Sequence, residues 1–157
     1  LTDQQSNGTI IKMNFDKLRE MAEQDLAIDN SELGNESTRI PQLHQKYLNY
    51  FYDARLSLRK YESDYNTLRR DKVMWLSGKM SEEELSERGW EPCQLRILRT
   101  DMDMHMSADP DISSLEAKIA LQQEKVSYLE SILKMITNRH WQIRNAIEWR
   151  KFVSGVS

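Results

Sequence analysis

Asp101 and His105 stand four residues apart in "DMDMHMSADPD", a spacing that would put a carboxylate and an imidazole on one face of a helix, as metal ligands. Asp103 points away on the same helix, and two ligands do not make a metal site. The methionines at 102, 104 and 106 fit a contact that tolerates irregular packing. Cys93 has no histidine near it in sequence and reads as a structural or incidental thiol. Glu82, Glu83 and Glu84 form the acidic first turn of a helix rather than an acid/base pair. There is no glycine-rich phosphate loop, no Gly-x-Ser-x-Gly elbow and no zinc-type Cys/His pairing. The expectation is a protein that is not an enzyme and that uses neither metal nor other cofactor.

Cations beside aromatic rings are better represented. Arg55, Arg59 and Lys60 precede Arg69, Arg70, Lys72 and Lys79, interleaved with Tyr61, Tyr65 and Trp75. Near the C-terminus, Arg139, Arg144, Arg150 and Lys151 sit among Trp141 and Trp149. Cations that track phosphates beside rings that stack on bases suit sequence-tolerant single-strand binding. The competing reading makes the rings core and the cations a solvated rim. That reading is preferred for the tyrosines, the binding one for Arg70 and Lys72, and Trp75 stays open between them.

The formal net charge of -3 hides a segregation along the chain. Lys and Arg against Asp and Glu number 4 to 8 in residues 1–40, 8 to 4 in 41–80, 3 to 9 in 81–111, and 7 to 4 in 112–157. Acidic and basic segments of this kind either complement one another within the fold or leave basic helices for a polyanion. The single cysteine cannot form an internal disulfide and suits a reducing compartment. No apolar run approaches a membrane span, so the expectation is a soluble, intracellular protein.

These residues need positioning, and the pattern is helical throughout. Residues 14–27 place Phe15, Leu18, Met21, Ala22 and Leu26 on one side, before "IDNSELGNESTRIP" breaks the helix. From Pro41 to about Leu76 apolar residues recur in steps of three and four, a helix roughly 50 Å long stopped at Gly78. "SEEELSER" opens with a capping box, Ser81 with Glu84, and Gly89 and Pro92 close it. "CQLRILRTDMDMHMSA" is expected as a further short helix ended by Pro110. Finally Ile112, Leu115, Ile119, Gln122, Val126, Leu129, Leu133, Ile136, His140, Ile143 and Ile147 step 3-4-3-4 as a heptad seam. A second apolar set off this seam, including Leu121, Met135, Trp141, Trp149 and Phe152, exceeds what one packing partner covers and points to self-assembly. The fold class is all-α: an elongated helical hairpin or bundle with two long helices and short ones between, assembling through heptad-type packing. Residues 1–12 are expected to be a disordered leader or non-native extension before Met13, and 13–155 one helical domain.

Three stretches resemble the UvsY recombination mediators of tailed phages: "LRRDKVMWLSGK", "SEEELSERGWEP" and "ITNRHWQIRNAIEWRKFVSG". The resemblance runs in order from about Met13 to Gly155. It implies a mediator that binds single-stranded DNA as a homo-oligomeric ring and helps load a phage recombinase onto strands covered by single-strand binding protein, in the cytoplasm of the infected bacterial host, with no membrane. The family's DNA-contacting Lys-x-Arg pair falls on Arg70 and Lys72, with the order reversed and the charge kept. Its paired tyrosines fall on Trp75 and Leu76, so one ring is lost. The expected single-strand contacts are thus Arg59, Lys60, Arg69, Arg70, Lys72, Trp75 and Lys79. Leu129, Leu133, Ile136, His140, Ile143 and Ile147 are the expected oligomerisation residues. The alternative is a helical scaffold or adaptor that assembles through the seam and binds only protein.

Overall fold

The computed structural model describes residues 14–155; the expected extension, 1–12, lies outside them. Six α-helices and one short 3-10 turn make up the described residues: α1 (Phe15–Leu26), α2 (Leu33–Thr38), α3 (Ile40–Leu76), α4 (Glu82–Arg88), the 3-10 turn Arg99–Asp101, α5 (Met102–Ser107) and α6 (Pro110–Ser154). The chain is all-α. It divides into two compact units.

Of the described residues, the terminal unit takes 14–47 and 131–155. Asn14 caps α1, its side-chain oxygen accepting the Asp16 N–H at 3.2 Å. Leu18 and Ala22, one turn apart, are fully buried. "IDNSELGNESTRIP" is not simply a break, because it contains α2, which buries Leu33 and Glu36. Gly34 reads as a stop in sequence, yet nothing lies within 4 Å of a Cβ built there and its backbone is helical. Leu43 and Tyr47 from α3 and Ile132, Ile136 and Ile143 from α6 complete the unit's interior.

Within the central unit, residues 48–130, α3 and α6 run antiparallel. Gln122 Nε2 donates to the Ala54 carbonyl at 2.8 Å, and Tyr65 donates to Glu116 at 2.9 Å. Lys72, nearer the end of α3, reaches Asp111 near the start of α6. Leu76, Met106 and Ile112 form a buried cluster with Tyr65, Leu68, Trp75, Cys93, Ile97 and Met102 packed against it.

Local chemistry sets the ends of these elements. Helix α3 stops where Gly78 takes φ +67°. Ser81 and Glu84 close both halves of the capping box on α4, and Gly89 ends that helix in the left-handed region at φ 66°. Pro110 does not merely end the preceding helix. It is the first residue of α6, where a missing N–H costs nothing. Asp109 caps α6, its Oδ1 accepting the N–H groups of Asp111 at 2.9 Å and Ile112 at 3.1 Å. "CQLRILRTDMDMHMSA" is a helix only in its second half. Residues 91–98, Pro92 among them, are not helical, and Leu98 is extended at ψ 147°.

Candidate nucleic-acid interface

The basic segment of α3 splits into two populations. Arg59 and Arg70 are eleven residues apart, about three turns, so they share a face, whereas Lys72 lies more than half a turn further round. Arg59, Lys60, Arg69, Arg70 and Lys79 are exposed. The Arg70 side chain is 70 % exposed, and only its Nε is engaged, donating to Asp71 at 3.1 Å. Arg69 lies one turn beyond a half-buried aromatic, Tyr65, whose hydroxyl pKa is raised by its hydrogen bond to Glu116.

Lys72 is on the other side, buried, with its ammonium 2.8 Å from both Asp109 Oδ2 and Asp111 Oδ2. It also lies over two indole rings, 4.5 Å from the Trp90 centroid and 5.6 Å from that of Trp75. Burial opposes its charge, but the hydrogen bonds to Asp109 and Asp111 outweigh burial and raise its pKa above the usual lysine value. Asp109 moves the opposite way. Burial pushes its carboxyl up, and the bonds from Lys72 and the Ile112 N–H pull it further down, below the usual 3.8. One carboxylate therefore caps α6 with one oxygen and holds α3 with the other.

Trp75 is half-buried in the packed cluster, and its indole N–H donates to the Glu91 carbonyl at 2.7 Å. Its ring lies 6.1 Å from that of Trp90. Asp71, also buried, pairs with Arg88. Of the seven expected single-strand contacts, then, five cations present themselves to solvent, while Lys72 and Trp75 organise the interior of the central unit. Composition does not separate these two uses, and helical angle sets only Arg59 and Arg70 opposite Lys72; Arg69, three residues before Lys72 and about 60° from it, differs by its exposure.

The seam divides as well. Leu129, Ile136 and Ile143 are buried at 0 %, 0 % and 2 % exposure within the chain itself. Leu133 and Ile147 are half-buried, and His140 is exposed with Nδ1 2.7 Å from the Thr137 carbonyl. In place of His140 the chain buries its neighbour Arg139, and in place of Leu133 it buries Ile132 more deeply. Arg139 donates to the Leu26 and Ala27 carbonyls at 2.6 and 2.9 Å and pairs with Glu36. It thus satisfies carbonyls that the end of α1 leaves unpaired. The sequence groups Arg139 with the C-terminal cations beside Trp141 and Trp149, open between strand binding and a solvated rim, and neither is what it does. Its step of three and four from Ile132, Ile136 and Ile143 was the signal that it shares their face. The off-seam residues Met135, Trp141, Trp149, Phe152 and Val153 are all more than half exposed, and the Trp149 and Phe152 rings stack at 5.8 Å.

Among the described residues, no group of three or more His, Cys, Asp or Glu is arranged to hold a metal, and no helix is long and apolar enough to cross a membrane. Residues 21–156 match the model of the family described as recombination, repair and ssDNA binding protein UvsY. The chain belongs to the UvsY family. Crystal structures of the bacteriophage T4 recombination mediator protein UvsY have the same fold. One lattice form matches at TM-score 0.77 and 20% identity, covering 89% of this chain and 99% of that one. A second matches at TM-score 0.76 and 20% identity, over 90% and 98%. No curated protein sequence matches the chain significantly. The three stretches read as UvsY-like in sequence, at 68–79, 81–92 and 136–155, all fall inside the matched span.

Proposed function

We propose that this UvsY-family protein is a non-enzymatic recombination mediator that binds single-stranded DNA through the exposed face of α3. Its partners are the phage recombinase and single-strand binding protein, in the host cytoplasm. The observation that carries the reading is the set of exposed cations on α3, Arg59, Lys60, Arg69 and Arg70, with Arg59 and Arg70 aligned on one face; among the described residues only Arg70 meets a carboxylate, through its Nε alone. Lys79 continues the charge beyond the helix end. Lys72 and Trp75 contribute by fixing the surface from beneath.

A handful of cations on one chain binds a strand weakly and with strong salt dependence. Repeating the stripe around a homo-oligomeric ring makes each later contact intramolecular, which multiplies affinity without new chemistry. The exposed apolar residues of α6, Met135, Trp141, Trp149 and Phe152, support assembly, with Leu133, His140 and Ile147 beside them. Leu129, Ile136 and Ile143 serve it by keeping the helix packed in its own chain.

The test is titration of a labelled oligo(dT) by the Arg69→Ala/Arg70→Ala variant at low and high salt. Loss of two cations per chain should lower the slope of log affinity against log salt by about 1.4 for each chain that the strand contacts. An unchanged slope removes this face as the DNA site. No binding by the wild type even at low salt leaves the adaptor reading in its place.

A further inference from the structure

A groove of about 900 Å³ opens in the central unit where α3 ends at Gly78. Its rim carries Lys79, Arg96 and Arg99, all exposed and with no ion-pair partner among the described residues. Leu95, Ile97 and Met102 line it as well, and Leu95 is 62% exposed. Arg96 and Arg99 belong to a segment whose sequence balance is strongly acidic, so the charge count conceals them. The 3-10 turn and the non-helical stretch before it put both beside Lys79.

We propose that this groove docks an acidic peptide carrying bulky apolar side chains. Charge complementarity selects the sign of the ligand, since three cations face a single carboxylate, Asp103, on the lining. The lining selects the class. No aromatic ring borders the groove, so a single strand would forgo the stacking that contributes about 1–3 kcal/mol per base in such sites. Trp75 and Trp90 are turned to Lys72 instead. Aliphatic and thioether surface suits leucine or phenylalanine side chains, and Met102 adapts its shape to either. Asp103 interrupts the cationic rim, which a phosphodiester charged at every residue meets unfavourably. A peptide can place an apolar residue there. Gly78 leaves that end open, with nothing within 4 Å of a Cβ built on it.

The test is fluorescence anisotropy of the full chain with a fluorescein-labelled peptide of aspartates interrupted by leucine and phenylalanine, alongside an all-aspartate peptide and oligo(dT). The mixed peptide should bind saturably, and roughly tenfold tighter than the all-aspartate one. Arg96→Ala/Arg99→Ala and, separately, Leu95→Glu should each weaken it by roughly tenfold or more. Oligo(dT) affinity should stay within about twofold in Arg96→Ala/Arg99→Ala. Absence of saturable binding overturns the proposal, as does indifference to both variants. If Arg96→Ala/Arg99→Ala weakens oligo(dT) more than the peptide, the groove is part of the DNA path. If either variant changes the oligomeric mass, the groove is a contact between copies. Both of those results reject the peptide, and neither touches the separate test of Arg69 and Arg70.

Discussion

Arg139 in the terminal unit is 2 % exposed and Lys72 in the central unit 7 %, yet their surroundings differ. Arg139 uses its fork to take two main-chain carbonyls and a buried carboxylate, Glu36, so it completes a helix end as well as an ion pair. Lys72 offers one point charge to two aspartates, one of which is 61 % exposed, and rests against two indoles. The terminal unit also ties Asp25 to Lys46 at 2.6 Å and to the Tyr47 hydroxyl at 2.9 Å. The central unit leaves Arg59, Lys60, Arg69 and Arg70 of α3 facing water. One unit spends its buried polar groups on holding segments distant in sequence. The other holds its interior with the ion pairs of Lys72 and of Asp71 and keeps a charged surface free.

The comparison breaks most visibly at Arg139. Arg139→Ala leaves two carbonyls without their donor and Glu36 with only Arg39 and the Asp29 N–H, and should cost about 3–5 kcal/mol, lowering the thermal midpoint by roughly 10 °C. Differential scanning fluorimetry reads this directly, and a shift under 2 °C would deny the buried bridge its role. Lys72→Met keeps the stem against the indoles and removes the charge. It should cost about 2–3 kcal/mol, less than Arg139 because Asp111 regains water.

Acid should separate the units less than either mutation. Burial pushes the Asp25 carboxyl up, but its bonds from Lys46 and Tyr47 hold it below 3.8, and Asp109 is held down likewise by Lys72. A depressed carboxylate contributes stability that is present above its unfolded pKa and is lost as pH falls through the folded one. Denaturant midpoints should therefore hold from pH 7 to about 4 and drop below it. Lys72→Met should flatten the Asp109 share of that drop. The raised pKa of Lys72 acts at the other end: its contribution is complete below 10.5 and fades only as pH climbs through the folded value. The smallest stability effect belongs to Arg69→Ala/Arg70→Ala, within about 0.5 kcal/mol of wild type, because both side chains are exposed.

Much of the frame was legible in residues with local consequences. The run without glycine or proline gave α3, Ser81 and Glu84 announced α4, and the 3-4 spacing marked α6. What escaped depended on partners far along the chain. Arg139 and Glu36 are 103 residues apart, and nothing local marks either as buried. Lys72 and Asp109 show how the alternating charge blocks are used, as mutual complement at one face and free charge at another. Gly34 hid α2 because a glycine with helical backbone reads like a breaker. The pairing of Arg96 and Arg99 with Lys79 needed the non-helical course of residues 91–98.

Cations on one α3 segment divide by exposure, Arg69 and Arg70 for a polyanion and Lys72 for the fold. One measurement reaches this division: the salt dependence of oligo(dT) affinity for Arg69→Ala/Arg70→Ala and Lys72→Met, each read below its own melting temperature. The arginine variant should lose about 1.4 in slope per contacted chain at unchanged stability, and the lysine variant should keep its slope at reduced stability. A full slope in the arginine variant together with a reduced one in Lys72→Met would contradict the division.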